Sequence, residues 1–176
     1  MIQEAAKFAA EVHAGKMRKG TAVPYIVHPL ETAVIVSGIT GDEEVISAAL
    51  LHDVIEDAGV TYECLMEKFG RRVADLVRAE SEDKSRSWTE RKEATVRHLE
   101  SASRDVRLIC LGDKVSNLRS TAADRILKGE AVWEKFREKD KKKHERYYLG
   151  VLETLAEFKE ETAYHEYVSL MRQIFR

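Results

Sequence analysis

The chain reads as an all-α domain. Three observations predict this: the 176 residues contain only two prolines, Pro24 and Pro29, both in one short stretch; the remainder is rich in Ala, Glu, Lys, Leu and Arg; and its apolar residues recur with the 3.6-residue period of a helix. The length sets a single domain over residues 1–176, large enough to bury a core. A first helix is expected over 2–15, with Ala5, Phe8, Ala9 and Val12 as its apolar stripe. Residues 15–27 read as a loop carrying Lys16, Arg18 and Lys19. Pro29 suits the first position of a second helix with His28 as its cap, and that helix ends near 38–41. Asp42 caps a third helix, expected to run through His52 and Asp53 to about 59. Short helices are expected over 61–70 and 71–80, followed by a polar loop over 81–87. Ser87-Trp88-Thr89-Glu90 has the form of a capping box and opens a helix to about 101. A long helix follows over 104–128, with Asp113, Asn117 and either Ser120 or Thr121 on one stripe. The remainder reads as a helix over 131–159 with a break near 138–142, and a last helix over 162–175. No internal repeat, low-complexity segment or interdomain linker stands out.

Composition narrows the function classes. Hydrophobic residues make up 44% and charged residues 34%, and the formal net charge is −2, so no global field favours nucleic acid or an anionic membrane. No apolar run reaches spanning length, and the N-terminus lacks the pattern of a signal peptide. Cys64 and Cys110 lack metal-type spacing and are expected as buried free thiols in a reducing cytosol.

The most informative segment is His52-Asp53-Val54-Ile55-Glu56-Asp57, which follows the apolar run Ile46–Leu51. Four of its six residues can ligate a metal or move a proton. Burying so many ionisable groups unpaired would cost several kcal/mol each, and a divalent cation would compensate. On a helix, Glu56 lies one turn beyond His52 and Asp57 one turn beyond Asp53, so a ligand pair is followed by two carboxylates facing a water or substrate. Taken alone, Asp113 reads more readily as a salt-bridge partner and His28 as a helix cap. Together, His28, His52, Asp53 and Asp113 form a nitrogen and oxygen set that suits Mn²⁺, Fe²⁺ or Zn²⁺. His13, His98, His144 and His165 lack such company and read as surface or structural. The run 139–144 reads as a solvated helix face, and Trp88, Trp133, Tyr147 and Tyr148 as core or groove packing.

Arg18-Lys19, Pro24-Tyr25-Ile26-Val27-His28-Pro29, the block 48–57, Phe69-Gly70 and Gly112-Asp113-Lys114-Val115-Ser116-Asn117-Leu118-Arg119 occur in this order. In that order they resemble the hydrolase domain of the RelA/SpoT alarmone family, within the HD superfamily of metal-dependent phosphohydrolases. The resemblance covers about residues 1–125, and the C-terminal third matches more loosely. It implies a Mn²⁺ site at His28, His52, Asp53 and Asp113, with Glu56 and Asp57 positioning or activating the attacking water. It also implies a nucleotide pocket built partly from Arg18, Lys19, Asn117 and Arg119. An arginine plane can stack on guanine, and basic groups offset diphosphate charge. Arg119 lies about 200° from Asn117 on an ideal helix, so its inclusion rests on the resemblance alone.

Lys16 stands where the family usually has Gln, Gly112 where it has Ala, and Ala58 where Thr is common; the loop between Lys19 and Pro24 also differs in length. These departures bear on substrate preference more than on metal binding. The chain is too short for the family's synthetase domain and resembles its small, hydrolase-only members. The expectation is an HD-domain helical bundle that binds Mn²⁺ or another divalent transition metal. It would remove the 3′-pyrophosphate of guanosine tetra- or pentaphosphate in the stringent response. Its partner would be a small-molecule nucleotide in the cytoplasm, with no nucleic acid or membrane, and with homo-oligomerisation left open. Two alternatives stand beside it: an HD phosphohydrolase acting on another nucleotide or phosphate ester, and a non-catalytic nucleotide-binding module.

Overall fold

The computed structural model describes residues 1–176 as α-helices joined by short loops, with no β-strand; Met17 and Pro24 form one isolated bridge. The helices are α1 (Ile2–Val12), α2 (Val27–Ser37), α3 (Glu43–Leu51), α4 (Val54–Ala58) and α5 (Tyr62–Phe69). They continue with α6 (Arg71–Glu80), α7 (Trp88–Ser101), α8 (Arg104–Lys128), α9 (Lys141–Thr154) and α10 (Thr162–Phe175). Local chemistry starts several of them. Asp42 accepts from the Glu44 and Val45 amides, and Thr61 from that of Cys64. Ser87 and Glu90 form a reciprocal capping box. Each such cap contributes about 1 kcal/mol by satisfying amides that the helix leaves free.

The centre of the molecule is α8. It packs against α2 and α10, with α3 and α6 also in contact. Leu108, Ile109, Cys110, Leu111, Val115 and Leu118 along it are fully buried, each stabilising the bundle by about 1.5–3 kcal/mol through apolar burial. Gly112 sets how closely α2 approaches. A Cβ there would lie 2.9 Å from Val36 Cγ2 and 3.0 Å from the Thr32 carbonyl, so a side chain would push the helices apart. That close crossing brings the next residue, Asp113, to the first turn of α2. No helix is long and apolar enough to cross a membrane.

Four sequence expectations are corrected. The first helix ends at Val12, and a turn continues to Gly15. His28 is not a cap: α2 begins at Val27 with Ile26 as its cap, so His28 and Pro29 both lie within its first turn. The third helix does not run to Gly59; it ends at Leu51 and resumes as α4 after His52 and Asp53. The expected helix over 131–159 is a 3-10 turn (Gly129–Lys135), α9, and a second short 3-10 turn (Ala156–Phe158). There, packing of Trp133 on Phe136 and Phe175 takes the place of helical continuity. Cys110 is buried as expected, whereas Cys64 is only half-buried.

Candidate metal centre

Four side chains from three separate parts of the chain meet beside α8: His28 from α2, His52 and Asp53 from the α3–α4 break, and Asp113 from α8. The break is what allows two adjacent residues to converge. Neighbours on a regular helix point about 100° apart. Asp53 has φ −96° and ψ −3°, the chain turns there, and Asp53 Oδ2 comes within 3.2 Å of His52 Nε2. His28 Nε2 lies 3.2 Å from His52 Nε2, 3.2 Å from Asp113 Oδ1 and 3.4 Å from Asp53 Oδ2. His52 Nε2 is 3.8 Å from Asp113 Oδ1.

The other nitrogen of each ring fixes which one is free. His52 Nδ1 lies 2.8 Å from the Ala49 carbonyl, which only accepts, so in the neutral ring Nδ1 carries the proton. His28 Nδ1 lies 2.8 Å from Ser116 Oγ, whose one proton is donated to Glu31 Oε2 at 2.6 Å. His28 Nδ1 must therefore donate as well. Both Nε2 atoms are left as lone pairs facing one another beside two carboxylates, an arrangement that repels itself unless a cation or a proton lies between. Donors on bonds of about 2.1 Å stand about 3.0 Å apart at right angles and about 3.4 Å apart at the tetrahedral angle. The observed spacings, 3.2 to 3.8 Å, lie around the tetrahedral value and slightly above the right-angle one, so the residues fit a divalent metal. The ligand atoms of His28, His52 and Asp113 all lie within 4.8 Å of one another. The Glu31–Ser116–His28 chain is the kind of outer support that orients metal-binding imidazoles.

The local field is strong. Burial opposes charge on His52, but Asp53, Asp113 and the Ala49 carbonyl outweigh it and push the imidazole up to about 10. Burial likewise opposes charge on Asp113, yet Lys114 and the two imidazoles hold its carboxyl well below the ordinary range. Asp53 is lowered in the same way by His52 and His28.

The acidic pair stands at the edge of this chamber. Glu56 lines it, and burial first, then Asp53 and Glu82, raises its carboxyl above the ordinary value. Asp57 is clamped: Lys84 Nζ donates to Oδ1 at 2.6 Å, and the Tyr25 hydroxyl lies 2.9 Å from Oδ2 and 2.5 Å from Asp53 Oδ2. Burial, Asp53 and Asp57 all raise the Tyr25 hydroxyl, which therefore keeps its proton and donates to one carboxylate at a time.

The chamber, about 170 Å³, opens into an outer cavity of about 350 Å³. Arg18, Tyr25, Lys92, Lys114 and Asn117 line both. Asn117 ties them together, accepting from Arg18 at 3.0 Å through Oδ1 and donating to Asp113 through Nδ2. Lys19 lines the outer cavity only. Arg119 lines neither and is corrected as a candidate: Glu166 takes its Nε and NH2 at 2.6 and 2.7 Å, and Glu31 takes NH1 at 2.9 Å. Its role here is to tie α8 to α2 and α10.

Sequence reasoning gave no role to Tyr25, Lys114, Glu80 or Glu82. Tyr25 and Lys114 stand in the quoted motif blocks, so their position beside a ligand was an available signal. Glu80 and Glu82 look like any charged residues at a helix end. In the fold both line the chamber; burial pushes Glu80 up to about 8, and Arg91, Lys92 and Thr95 hold Glu82. The far wall of the outer cavity, with Phe136, His144, Tyr147 and Tyr148, comes from the segment whose sequence matched least.

Comparison with known proteins gives a consistent picture. Residues 5–141 match a family model described as HD domain. The guanosine-3′,5′-bis(diphosphate) 3′-pyrophosphohydrolase MESH1 of Xenopus tropicalis is 43% identical over 123 residues, 68% of each chain. A solved structure of a metazoan ortholog of SpoT, described as hydrolysing ppGpp, superposes with a TM-score of 0.76 at 27% identity. It covers 98% of this chain and 94% of that one. A crystal structure from Listeria monocytogenes EGD-e gives a TM-score of 0.77 at 31% identity, covering 84% of this chain and 98% of that one.

Proposed function

The chain belongs to the HD domain family, and from that premise we propose that it removes pyrophosphate from the 3′ position of guanosine tetra- or pentaphosphate, giving GDP or GTP. One observation carries the reading. Two imidazole Nε2 atoms, left bare because Ser116 and Ala49 engage the opposite ring nitrogens, converge with two carboxylates at the inner end of a cationic cleft. Of the cations lining the outer cavity, Lys92, Lys114 and Lys135 are paired with Glu82, Asp113 and Asp124, which leaves Arg18 and Lys19 without an acidic partner, while the whole chain carries a net −2. That local excess suits a polyanionic substrate. The relatives named for this reaction support a guanosine polyphosphate over another phosphate ester.

We read residues 1–176 as one hydrolase domain working in the cytoplasm on a small nucleotide, with Mn²⁺ as its ion, a place in the stringent response, and neither nucleic acid nor membrane as partner. An ion held by His28, His52, Asp53 and Asp113 would supply Lewis-acid polarisation of a phosphoryl oxygen and activation of a water. Glu56 serves as the base, since its raised carboxyl lies closer to the working pH than an ordinary glutamate. Asp57, fixed between Tyr25 and Lys84, orients the attacking water. Arg18, steadied by Asn117, offers its plane to the guanine. Lys92 and Lys114, where the two cavities join, offset phosphate charge.

The test is to incubate Mn²⁺-loaded protein with a nucleotide panel that includes ppGpp and to separate the products by ion exchange. Equal amounts of GDP and pyrophosphate are expected. Release of orthophosphate would overturn the pyrophosphohydrolase reading, and tight ppGpp binding without turnover would overturn the catalytic one.

A further inference from the structure

Lys19 is one of the cations that line the outer cavity. We infer that Lys19 and Arg137 dock the 5′-phosphate chain of the nucleotide, and that Arg137 helps to set the preference for 5′-polyphosphates. The inference deepens the proposed function and rests on it.

Three observations meet at this place. The first is position. Lys19 lines the outer cavity but not the metal chamber, and its Nζ lies 5.9 Å from the centroid of Phe136, which lines the same cavity. Arg137 is the next residue and is exposed. A nucleotide with its 3′-diphosphate in the metal chamber must lay its base and 5′ chain in the outer cavity, which Lys19 lines; Arg137 stands outside that lining, next in sequence to Phe136.

The second is that the two cations lack acidic partners. Each nearby carboxylate is already taken: Asp124 by Lys135 at 2.5 Å, Glu138 by Lys143 at 2.7 Å, and Glu134 by Lys139. Neither Lys19 nor Arg137 makes an ion pair. Burial, and then Arg137 and Lys135, lower the Lys19 ammonium below its ordinary range, so the like charges are near enough to oppose one another. An anion between them would relieve that opposition.

The third is that the place is held in shape. Lys128 Nζ donates to the Gly20 carbonyl at 3.0 Å, which fastens the Lys19 loop to the end of α8. Gly20 has φ +73°, and a Cβ on it would lie 3.2 Å from Lys135 Cβ, so the loop sits against the segment that carries Arg137. Both cations are thus presented from anchored backbone.

The experiment compares two substrates: ppGpp and guanosine 3′-diphosphate, which lacks 5′ phosphates. Arg137→Ala should raise KM for ppGpp by about fivefold, the size of one charge contact at 4 Å in water, and Arg137→Glu should raise it further. The effect should fall on KM rather than kcat. KM for the 5′-unphosphorylated substrate should move less than twofold. Equal changes with both substrates, or no change with ppGpp in either variant, would overturn the inference. If the wild-type protein leaves ppGpp intact, the functional reading fails by itself. Calorimetric titration with GTP then still decides about the docking. Affinity lowered by Lys19→Ala and Arg137→Glu supports it, and unchanged affinity refutes it.

Discussion

At the inner end of the cleft nearly every functional side chain is gripped by another. Ser116 and Glu31 hold His28, the Ala49 carbonyl holds His52, and Lys114 and Asn117 hold Asp113. At the outer end the contacts are broad and aromatic. His144 lies 5.0 Å from Trp88, 5.1 Å from Trp133 and 5.0 Å from Phe136 in ring centroids, with a single hydrogen bond from Nε2 to the Glu138 carbonyl. The difference teaches where precision is needed. An ion requires donors fixed in direction, which only second-rank hydrogen bonds secure. A base and its phosphates can be met by flat surfaces and loosely held charge, which tolerate variation in sequence.

The contrast can be broken most severely at the ligands. Asp113→Asn or His52→Ala should abolish stoichiometric metal binding and bring turnover to background, measured by metal analysis and product release. A variant that keeps its metal would remove that residue from the ligand set. Next, Glu56→Gln and Asp57→Asn should each reduce kcat by about a hundredfold while the metal stays bound. Wild-type turnover in either would dismiss that carboxylate from the chemistry, and a lost metal would make it a ligand instead. Ser116→Ala should weaken metal affinity by about tenfold or more without touching any ligand, because His28 loses the partner that fixes its tautomer. Unchanged affinity would mean that the Glu31–Ser116 chain does not orient the ring.

At the outer end the effects should be smaller. Arg18→Ala should raise KM for ppGpp by about tenfold with a lesser change in kcat, and should matter little for a phosphate ester without a base. Equal loss on both substrates would refute guanine stacking. The smallest effect concerns acid stability. Burial lowers the His144 imidazole below its ordinary 6.5, against some help from Glu138. The unfolded chain therefore binds the proton first as pH falls. The stability His144 lends is complete above 6.5 and is lost as pH drops through the lowered value. His144→Phe keeps a ring in the aromatic cluster but cannot titrate, so the difference in melting temperature between about pH 7 and pH 5 should narrow relative to wild type. A difference as wide as in wild type would mean that His144 does not contribute to acid sensitivity.

Much of the fold is written locally. Asp42, Thr61 and Ser87 announce helix starts because a cap acts on amides two or three residues away, and α6, α8 and α10 follow from apolar spacing within each helix. The proposed donor set comes from residue type and resemblance together: His28 and Asp113 taken alone read as a cap and a salt-bridge partner, and only beside His52 and Asp53 do they make a nitrogen and oxygen set that suits a divalent metal. What the sequence by itself could not determine depends on partners far along the chain. The break at His52 and Asp53 lets adjacent side chains converge, and no local signal marks it. The bare Nε2 of His28 follows from Ser116, 88 residues away. Arg119 left the cleft because Glu31 and Glu166, 88 and 47 residues away, bind it. Tyr25 and the aromatic wall from α9 joined the site only when α2, α7, α8 and α9 closed around it. Sequence periodicity reports which face of a helix is apolar; the direction of each polar side chain is decided by whichever neighbour packing brings within hydrogen-bond reach.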